Sequence, residues 1–280
     1  MYRSARGGGG CSLGGGRILI ALILVGVALF TYFSQRVYNP VTDETQHISI
    51  TPQQEVALGL QAAPEMEQEF GGESQDAQGQ ALVDKVCANI VKSSSANQTD
   101  YPFECHLLGD QQTINAFALP GGQVFVTEAL FKHLETEGQL AGVLGHEIGH
   151  VVARHGAEHI AKQQLTEGLT GAAVVASYDP NNPNSAYAAQ FAMLIGQLVT
   201  LKYGRDDELE SDRLGVRFMS EAGYDPRAML RVMQILEESS SGGRPPEFFS
   251  THPNPENRLQ RIQQAIDEKY PSGVPNGMVQ

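Results

Sequence analysis

The sequence predicts an α+β fold, mostly helical, with a small β-sheet beside a helix that carries the pentapeptide HEIGH and one N-terminal transmembrane helix ahead of it. Three observations predict this. Leu140, Val143, Leu144, Ile148, Val151 and Val152 recur at helical spacing around HEIGH. Short runs at 103–108, 113–119 and 123–127 read as strands, the last two joined by a turn at Pro120, Gly121 and Gly122. An uninterrupted apolar stretch covers 18–33.

In chain order, residues 1–17 read as a flexible tail, with glycines at 7–10 and 14–16. Residues 18–36 form the membrane segment. No small-residue cleavage site follows it, since Tyr32, Phe33, Ser34, Gln35 and Arg36 are bulky or polar, so an uncleaved anchor is expected rather than a signal peptide. Arg3, Arg6 and Arg17 precede the stretch and Arg36 alone follows closely, which leaves the N-terminus in the cytoplasm and the remaining chain on the periplasmic or an equivalent extracytoplasmic side. Cys11 precedes the apolar stretch and so is not a lipoprotein cysteine.

Residues 37–50 are expected as a linker, 51–272 as the domain and 273–280 as a C-terminal tail. Within the domain, Thr51-Pro52 opens a helix that ends at Gly71-Gly72, and Ser74 opens a second running toward Ser93. After the strands the chain is mostly helical, ending in a helix over 254–270 with Asn254 as N-cap and Pro255 at its first position. The apolar segments 169–177 and 186–201 carry Gln190 and Gln197 and are separated by Asp179-Pro180-Asn181-Asn182-Pro183. They read as helices packed near the functional site rather than as a second span, with Phe191, Met193, Leu194 and Leu198 able to touch a bilayer. Cys87 and Cys105 face one core from a helix and a strand, as two thiols or as a disulfide. The net charge of −13 argues against a nucleic-acid partner.

HEIGH carries a chemical proposal. His146 and His150, at i and i+4, point the same way and can each bring a ring nitrogen to about 2.0–2.1 Å from one zinc ion. Glu147, about 100° around the helix, reaches a water beside the metal without ligating it. Zinc acidifies that water and Glu147 takes its proton and passes it to a leaving amine, which is peptide-bond hydrolysis. Gly145 and Gly149 each weaken the helix by about 1 kcal/mol and read as room for a neighbouring segment or substrate, or as close packing.

A catalytic zinc wants a third protein ligand. The metzincin continuation would need glycine at Ala153 and histidine at Gly156, so that class is excluded. Glu167 is the thermolysin-like candidate and lacks polar partners around it. Glu208 and Asp212 fit better: they share a face of one helix, so Glu208 could bind zinc while Asp212 accepts from the outer nitrogen of a zinc-bound histidine. Asp206 and Asp207 read as partners of the helix dipole.

The HEIGH helix, Glu208-x-x-x-Asp212 and the segment Asn115-Ala116-Phe117-Ala118-Leu119-Pro120-Gly121-Gly122 together resemble peptidase family M48, which includes the CAAX prenyl protease, the HtpX heat-shock protease and OMA-type inner-membrane proteases. The likeness covers about residues 50 to 270. It implies a zincin-like metallopeptidase domain with one zinc per chain, Glu208 as third ligand, Asp212 behind the ligands, and Asn115, Ala116, Phe117 and Ala118 on an edge strand that pairs with substrate backbone. Ser250-Thr251-His252-Pro253 followed by Arg258 is similar to a late family element that lies over the metal. His252 and Arg258 then either stabilise an oxyanion or, for His252, fill the open zinc position and hold the enzyme inactive. Gly204 stands where the family commonly has serine. No repeat array follows the last helix, so any partner surface is expected within the domain. The resemblance implies a membrane-anchored endopeptidase acting on misfolded or membrane-associated envelope proteins. The alternative is a non-proteolytic chaperone or assembly factor with a closed zinc site.

Overall fold

The computed structural model describes residues 13–177, 204–240, 245–254 and 257–280. Arg3, Arg6, the glycines at 7–10, Cys11, the break at 179–183, the segment 186–201 and Pro255 lie outside them. Two compact units divide the chain, Met1–Gln35 with Ala161–Leu201, and Arg36–Ile160 with Lys202–Gln280. In the first, helix α1 (Leu13–Ser34) is apolar and long enough over Gly16–Ser34 to cross a membrane. It is accompanied by the C-terminal part of α6 (His155–Ser177), whose first turns belong to the second unit.

The second unit opens with a hairpin of β1 (Arg36–Asn39) and β2 (Glu44–His47), where the sequence suggested a linker. Its strands have no apolar alternation to announce them. Side-chain amides hold the hairpin instead: Asn39 donates to the Val152 carbonyl (2.7 Å) and Gln46 to that of Ala153. Those carbonyls belong to the end of the HEIGH helix, where the last turn leaves acceptors without helical partners. Helix α2 (Pro52–Glu69) starts as the sequence predicts, with Thr51 and Gln54 in a capping box and Pro52 in the first turn. It ends before Gly71 and Gly72, both at positive φ. Helix α3 (Ala77–Ser93) starts three residues after Ser74, because the Asp76 carboxylate caps it by accepting from Gln78 and Gly79 N–H. Ser74 instead donates to Glu128.

The sheet orders its strands β3 (Glu104–Leu108), β5 (Gln123–Thr127) and β4 (Ala116–Ala118), with β5 central, parallel to β3 and antiparallel to β4. The β4–β5 turn needs Gly121 at φ +86, where a Cβ would lie 2.4 Å from Val56 Cα. A disulfide joins Cys87 on α3 to Cys105 on β3. Then follow α4 (Glu128–Phe131), α5 (Glu137–Val152), α7 (Arg205–Glu221), α8 (Ala228–Ser239), α9 (Phe248–Thr251) and α10 (Arg258–Lys269). Helix α10 begins at Arg258, four residues later than the sequence suggested. The expected C-terminal tail is fastened too: Val279 exchanges backbone hydrogen bonds with Gly223 and Asp225.

Helix α5 is buried from Gly138 to Val152 and packs on α7. The two glycines of its central turns serve close packing. A Cβ on Gly145 would stand 3.4 Å from Gly215 Cα, and one on Gly149 would stand 3.1 Å from Ser211 O and 3.2 Å from Ser211 Cα. Backbone cannot yield as a side-chain tip can. Gly149→Val is therefore expected to destabilise the domain by about 1–3 kcal/mol through overpacking, read as a lowered midpoint in chemical denaturation; an unchanged midpoint would show that the helices separate at no cost.

Candidate active site

Helix α5 presents His146, Glu147 and His150, and α7 presents Glu208 and Asp212 across the glycine contact. The turn after α9 brings His252, and the first residue of α10 brings Arg258. All seven side chains are buried, none more than 2% exposed. His146, His150, Glu208 and His252 each offer a donor atom, and these atoms lie within 4.8 Å of one another. His146 Nε2 is 3.1 Å from His150 Nε2, 3.5 Å from Glu208 Oε2 and 3.4 Å from His252 Nδ1. Glu208 Oε1 is 3.3 Å from His150 Nε2 and 3.1 Å from His252 Nδ1. A tetrahedron with metal–ligand distances of about 2.0–2.1 Å has edges of about 3.3–3.4 Å. Several of these separations come close to such edges, and the nitrogen and oxygen donors are of the type that zinc takes, with His252 as the fourth donor.

Around these donors stands a second ring of charge. Asp212 Oδ1 lies 2.9 Å from His146 Nδ1, so it can hold the outer nitrogen while Nε2 faces the cluster. Arg258 donates to both Asp212 oxygens (Nε to Oδ2 2.7 Å, Nη2 to Oδ1 2.9 Å), and its Nη1 lies 3.2 Å from Glu208 Oε2. Burial opposes ionisation of Asp212 and Glu208, but Arg258 and His146 for Asp212, and the three histidines for Glu208, outweigh it and hold both carboxyls below the usual range. Burial likewise disfavours a charged His146, yet Asp212 and Glu208 push it up to about 9. The two carboxylates that favour a proton there favour a divalent cation as well.

Glu147 differs. It is fully buried and, among the described residues, neither carboxylate oxygen accepts a hydrogen bond, with His252 Nε2 3.6 Å from Oε1. Burial pushes its carboxyl above the usual range, against the lowering by His252 and His146. A buried acceptor with nothing to accept from is costly, and a water between it and the donor cluster would satisfy it.

Sequence reasoning missed His155 and Glu210. His155 Nδ1 lies 2.9 Å from His150 Nδ1, and its Nε2 lies 3.2 Å from Glu210 Oε2. The signal was available, because a second histidine ligand needs an outer partner as much as the first. Arg154, at φ +57, donates to Glu55 (Nε to Oε1 2.8 Å) and to the Ile50 carbonyl, which fixes the turn that delivers His155. Glu167 is on the exposed side of α6, accepting from Gln163, and Asp207 accepts from Gly204 N–H at the start of α7.

Asn115 is buried, and Ala116–Ala118 is the edge strand β4. Asn115 O accepts from Thr127 N–H, and Leu119 N–H donates to Gln123 O, so odd positions pair with β5 and the backbone groups of Ala116 and Ala118 face outward. Phe248 N–H donates to Ile114 O at one end of this edge (3.2 Å), and the Phe248 ring stacks on His252 (4.4 Å, 18°). The cavity that reaches His150 beside Ala118 and Pro120 encloses only about 10 Å³.

Comparison with known proteins agrees with this geometry. Residues 75–266 match the model of peptidase family M48. The chain is 35% identical over 185 residues to the beta-barrel assembly-enhancing protease of Escherichia coli K12, covering 65% of this chain and 38% of that protein. It is 30% identical over 240 residues to the mitochondrial metalloendopeptidase OMA1 of Schizosaccharomyces pombe, covering 85% and 68%. With the mitochondrial metalloendopeptidase OMA1 of Bos taurus the identity is 34% over 171 residues, covering 57% and 32%. The chain thus spans well under half the length of the bacterial relatives.

Removing an outer partner should loosen the metal without removing a ligand. His155→Ala and Asp212→Ala are each expected to weaken zinc binding about 10–100-fold in competition with a chromophoric chelator, with Glu167→Ala unchanged. Equal affinity for all three would show that the outer ring does not orient the ligands.

Proposed function

The chain belongs to peptidase family M48, and from that premise we propose that it is a membrane-anchored zinc endopeptidase. The observation that carries this reading is the buried Glu147 carboxylate, without a hydrogen-bond donor among the described residues, beside a compact set of nitrogen and oxygen donors. In it, His146, His150 and Glu208 hold one zinc ion. Bound there, zinc supplies Lewis acidity, polarising a carbonyl and making water acidic near neutral pH. Glu147 takes the proton of the attacking water and delivers it to the leaving nitrogen as the C–N bond breaks. Asp212 fixes the His146 ring, and His155 with Glu210 does the same for His150. Arg258, engaged on both Asp212 oxygens, keeps the carboxylates ionised rather than reaching for an oxyanion. An extended substrate adds to the β4 edge through Ala116 and Ala118, with Asn115 and Phe117 shaping its inner side.

His252 is assigned as a gate in this reading. Its Nδ1 occupies the corner that water and the substrate carbonyl need, and the site around it is closed. The anchor is α1, uncleaved, with the N-terminus in the cytoplasm, supported by the arginine bias and by the Cys87–Cys105 disulfide, which suits an oxidising compartment such as the periplasm. Envelope proteins that have misfolded or stalled in assembly are the proposed substrates. The bacterial relatives, by their name, enhance β-barrel assembly. The second reading, a chaperone whose site stays shut, rests on the same His252 contact.

The test is zinc content and casein cleavage by the full-length protein in detergent, with Glu147→Gln and His252→Ala. The wild type is expected to bind about one zinc per chain and to cleave; Glu147→Gln should keep the zinc and lose about 10²–10⁴-fold in rate. His252→Ala should cleave faster than the wild type if His252 is a gate, and slower if it takes part in the reaction. Zinc binding with no cleavage by any variant would sink the protease reading in favour of the chaperone.

A further inference from the structure

We propose that the C-terminal half of α6 lies in the bilayer beside α1, so that the membrane part of this protein is an antiparallel helix pair rather than a single span. The inference rests on α1 being the uncleaved anchor. The apolar window Gly16–Ser34 is centred on Val25, and Ala28 stands three residues from that centre, about 4.5 Å along the axis. Gly168 of α6 abuts Ala28: a Cβ built on Gly168 would fall 2.8 Å from Ala28 Cβ. Whatever depth Ala28 takes in a hydrocarbon layer about 30 Å thick, Gly168 shares it.

The surrounding pattern agrees. On α1, Ile18, Leu19, Leu22, Ile23, Val27 and Phe30 are exposed, whereas Ala21 is only 7% exposed and Val25 and Ala28 are half-buried. On α6, Ala161 and Ala172 are buried and Leu165 and Gly168 half-buried, while Gly171 and Ala173 on either side of Ala172 are exposed. The spacing 161, 165, 168, 172 makes one seam, small at Ala161, Gly168 and Ala172, the kind of surface that lets two helices approach closely in lipid, where water drives nothing together. From Gly168 to Ser177 the helix carries no charged residue, although Lys162 and Glu167 precede it. The direction follows from the chain. Helix α1 ends at Ser34, five residues before Asn39, and Asn39 donates to Val152 O, three residues before α6 begins at His155, so the C-terminal end of α1 and the N-terminal end of α6 are tied to the same place. One helix arrives at that place and the other leaves it, and they touch at Ala28 and Gly168, so they run antiparallel. The same pairing gives α1 a lasting structural role that a cleaved signal sequence would not have.

The test uses the full chain with Cys11→Ser, leaving the native disulfide, in vesicles of phosphatidylethanolamine and phosphatidylglycerol. Single cysteines at Ile23, Gln163, Gly168 and Ala172 are exposed to a membrane-impermeant maleimide, and the pair Ala28→Cys with Gly168→Cys is mildly oxidised. The expected result is fast labelling at 163, labelling at least tenfold slower at 23, 168 and 172 until detergent is added, and loss of both thiols within one chain for the pair. Ala172→Cys covers the case in which cysteine at 168 is too crowded to fold. Fast labelling at 168 and 172 with 23 still protected would overturn the inference and leave the anchor intact. Fast labelling at 23, or a mature chain lacking α1, would overturn the anchor reading itself. A dimer band from Gly168→Cys alone would overturn the intrachain pair and give the seam to a second copy.

Discussion

Two helices touching through their backbones set the geometry on which the rest of the site depends. Gly145 meets Gly215 and Gly149 meets Ser211, so α5 and α7 approach more closely than side chains between them would allow. Each helix then offers a pair at i and i+4 across the contact, His146 and His150 from one, Glu208 and Asp212 from the other. A carboxylate as short as that of Asp212 reaches the outer nitrogen of His146 only because no Cβ holds the helices apart. The helix propensity forgone at these glycines is small beside the placement it permits.

Charge imposes the next constraint. A buried ion costs several kcal/mol unless it is paired, and here Glu208, Asp212 and Arg258 are all buried within one cluster. Arg258 answers Asp212 with two hydrogen bonds and Glu208 with one close nitrogen, which leaves Glu208 leaning on the histidines. That is the electrostatic setting of a cation site. Glu147 stands apart from this pairing, and burial raises its affinity for a proton, the direction that the proposed general base requires.

Much of this was legible in the sequence because period and spacing carry it. HEIGH lies on an apolar-periodic helix, Glu208 and Asp212 share a helix face, and the Pro-Gly-Gly turn marks the β4–β5 hairpin. What stayed hidden was held by polar side chains reaching across long separations. The β1–β2 hairpin has no alternating pattern, since Asn39 and Gln46 fasten it through amide hydrogen bonds to the end of α5. His155 and Glu210 are far apart in sequence and meet only after Arg154 has taken a left-handed turn. Helix α10 starts late, and nothing local in 254–257 says so. Two glycines read as room for a substrate or as close packing could be assigned only when the opposing backbone was in place.

The closed site and the open strand edge are physically linked. Odd positions of the β4 segment pair with β5, so Ile114, Ala116 and Ala118 present the backbone groups of the free edge. One of these, Ile114 O, is already taken by Phe248 N–H, and Phe248 is the residue whose ring stacks on His252. The element that places His252 among the donors therefore also occupies one end of the free strand edge. A peptide adding along β4 would compete for that carbonyl, and each hydrogen bond it won there would weaken the hold of α9 on His252. Such competition needs no second site and no distant signal, because strand pairing and gate release would draw on the same backbone group. Short peptides that pair only at Ala118 would leave the Phe248 bond intact, whereas longer extended chains would reach it, so under the proposed reading length along the edge is the feature to which the His252 gate would respond.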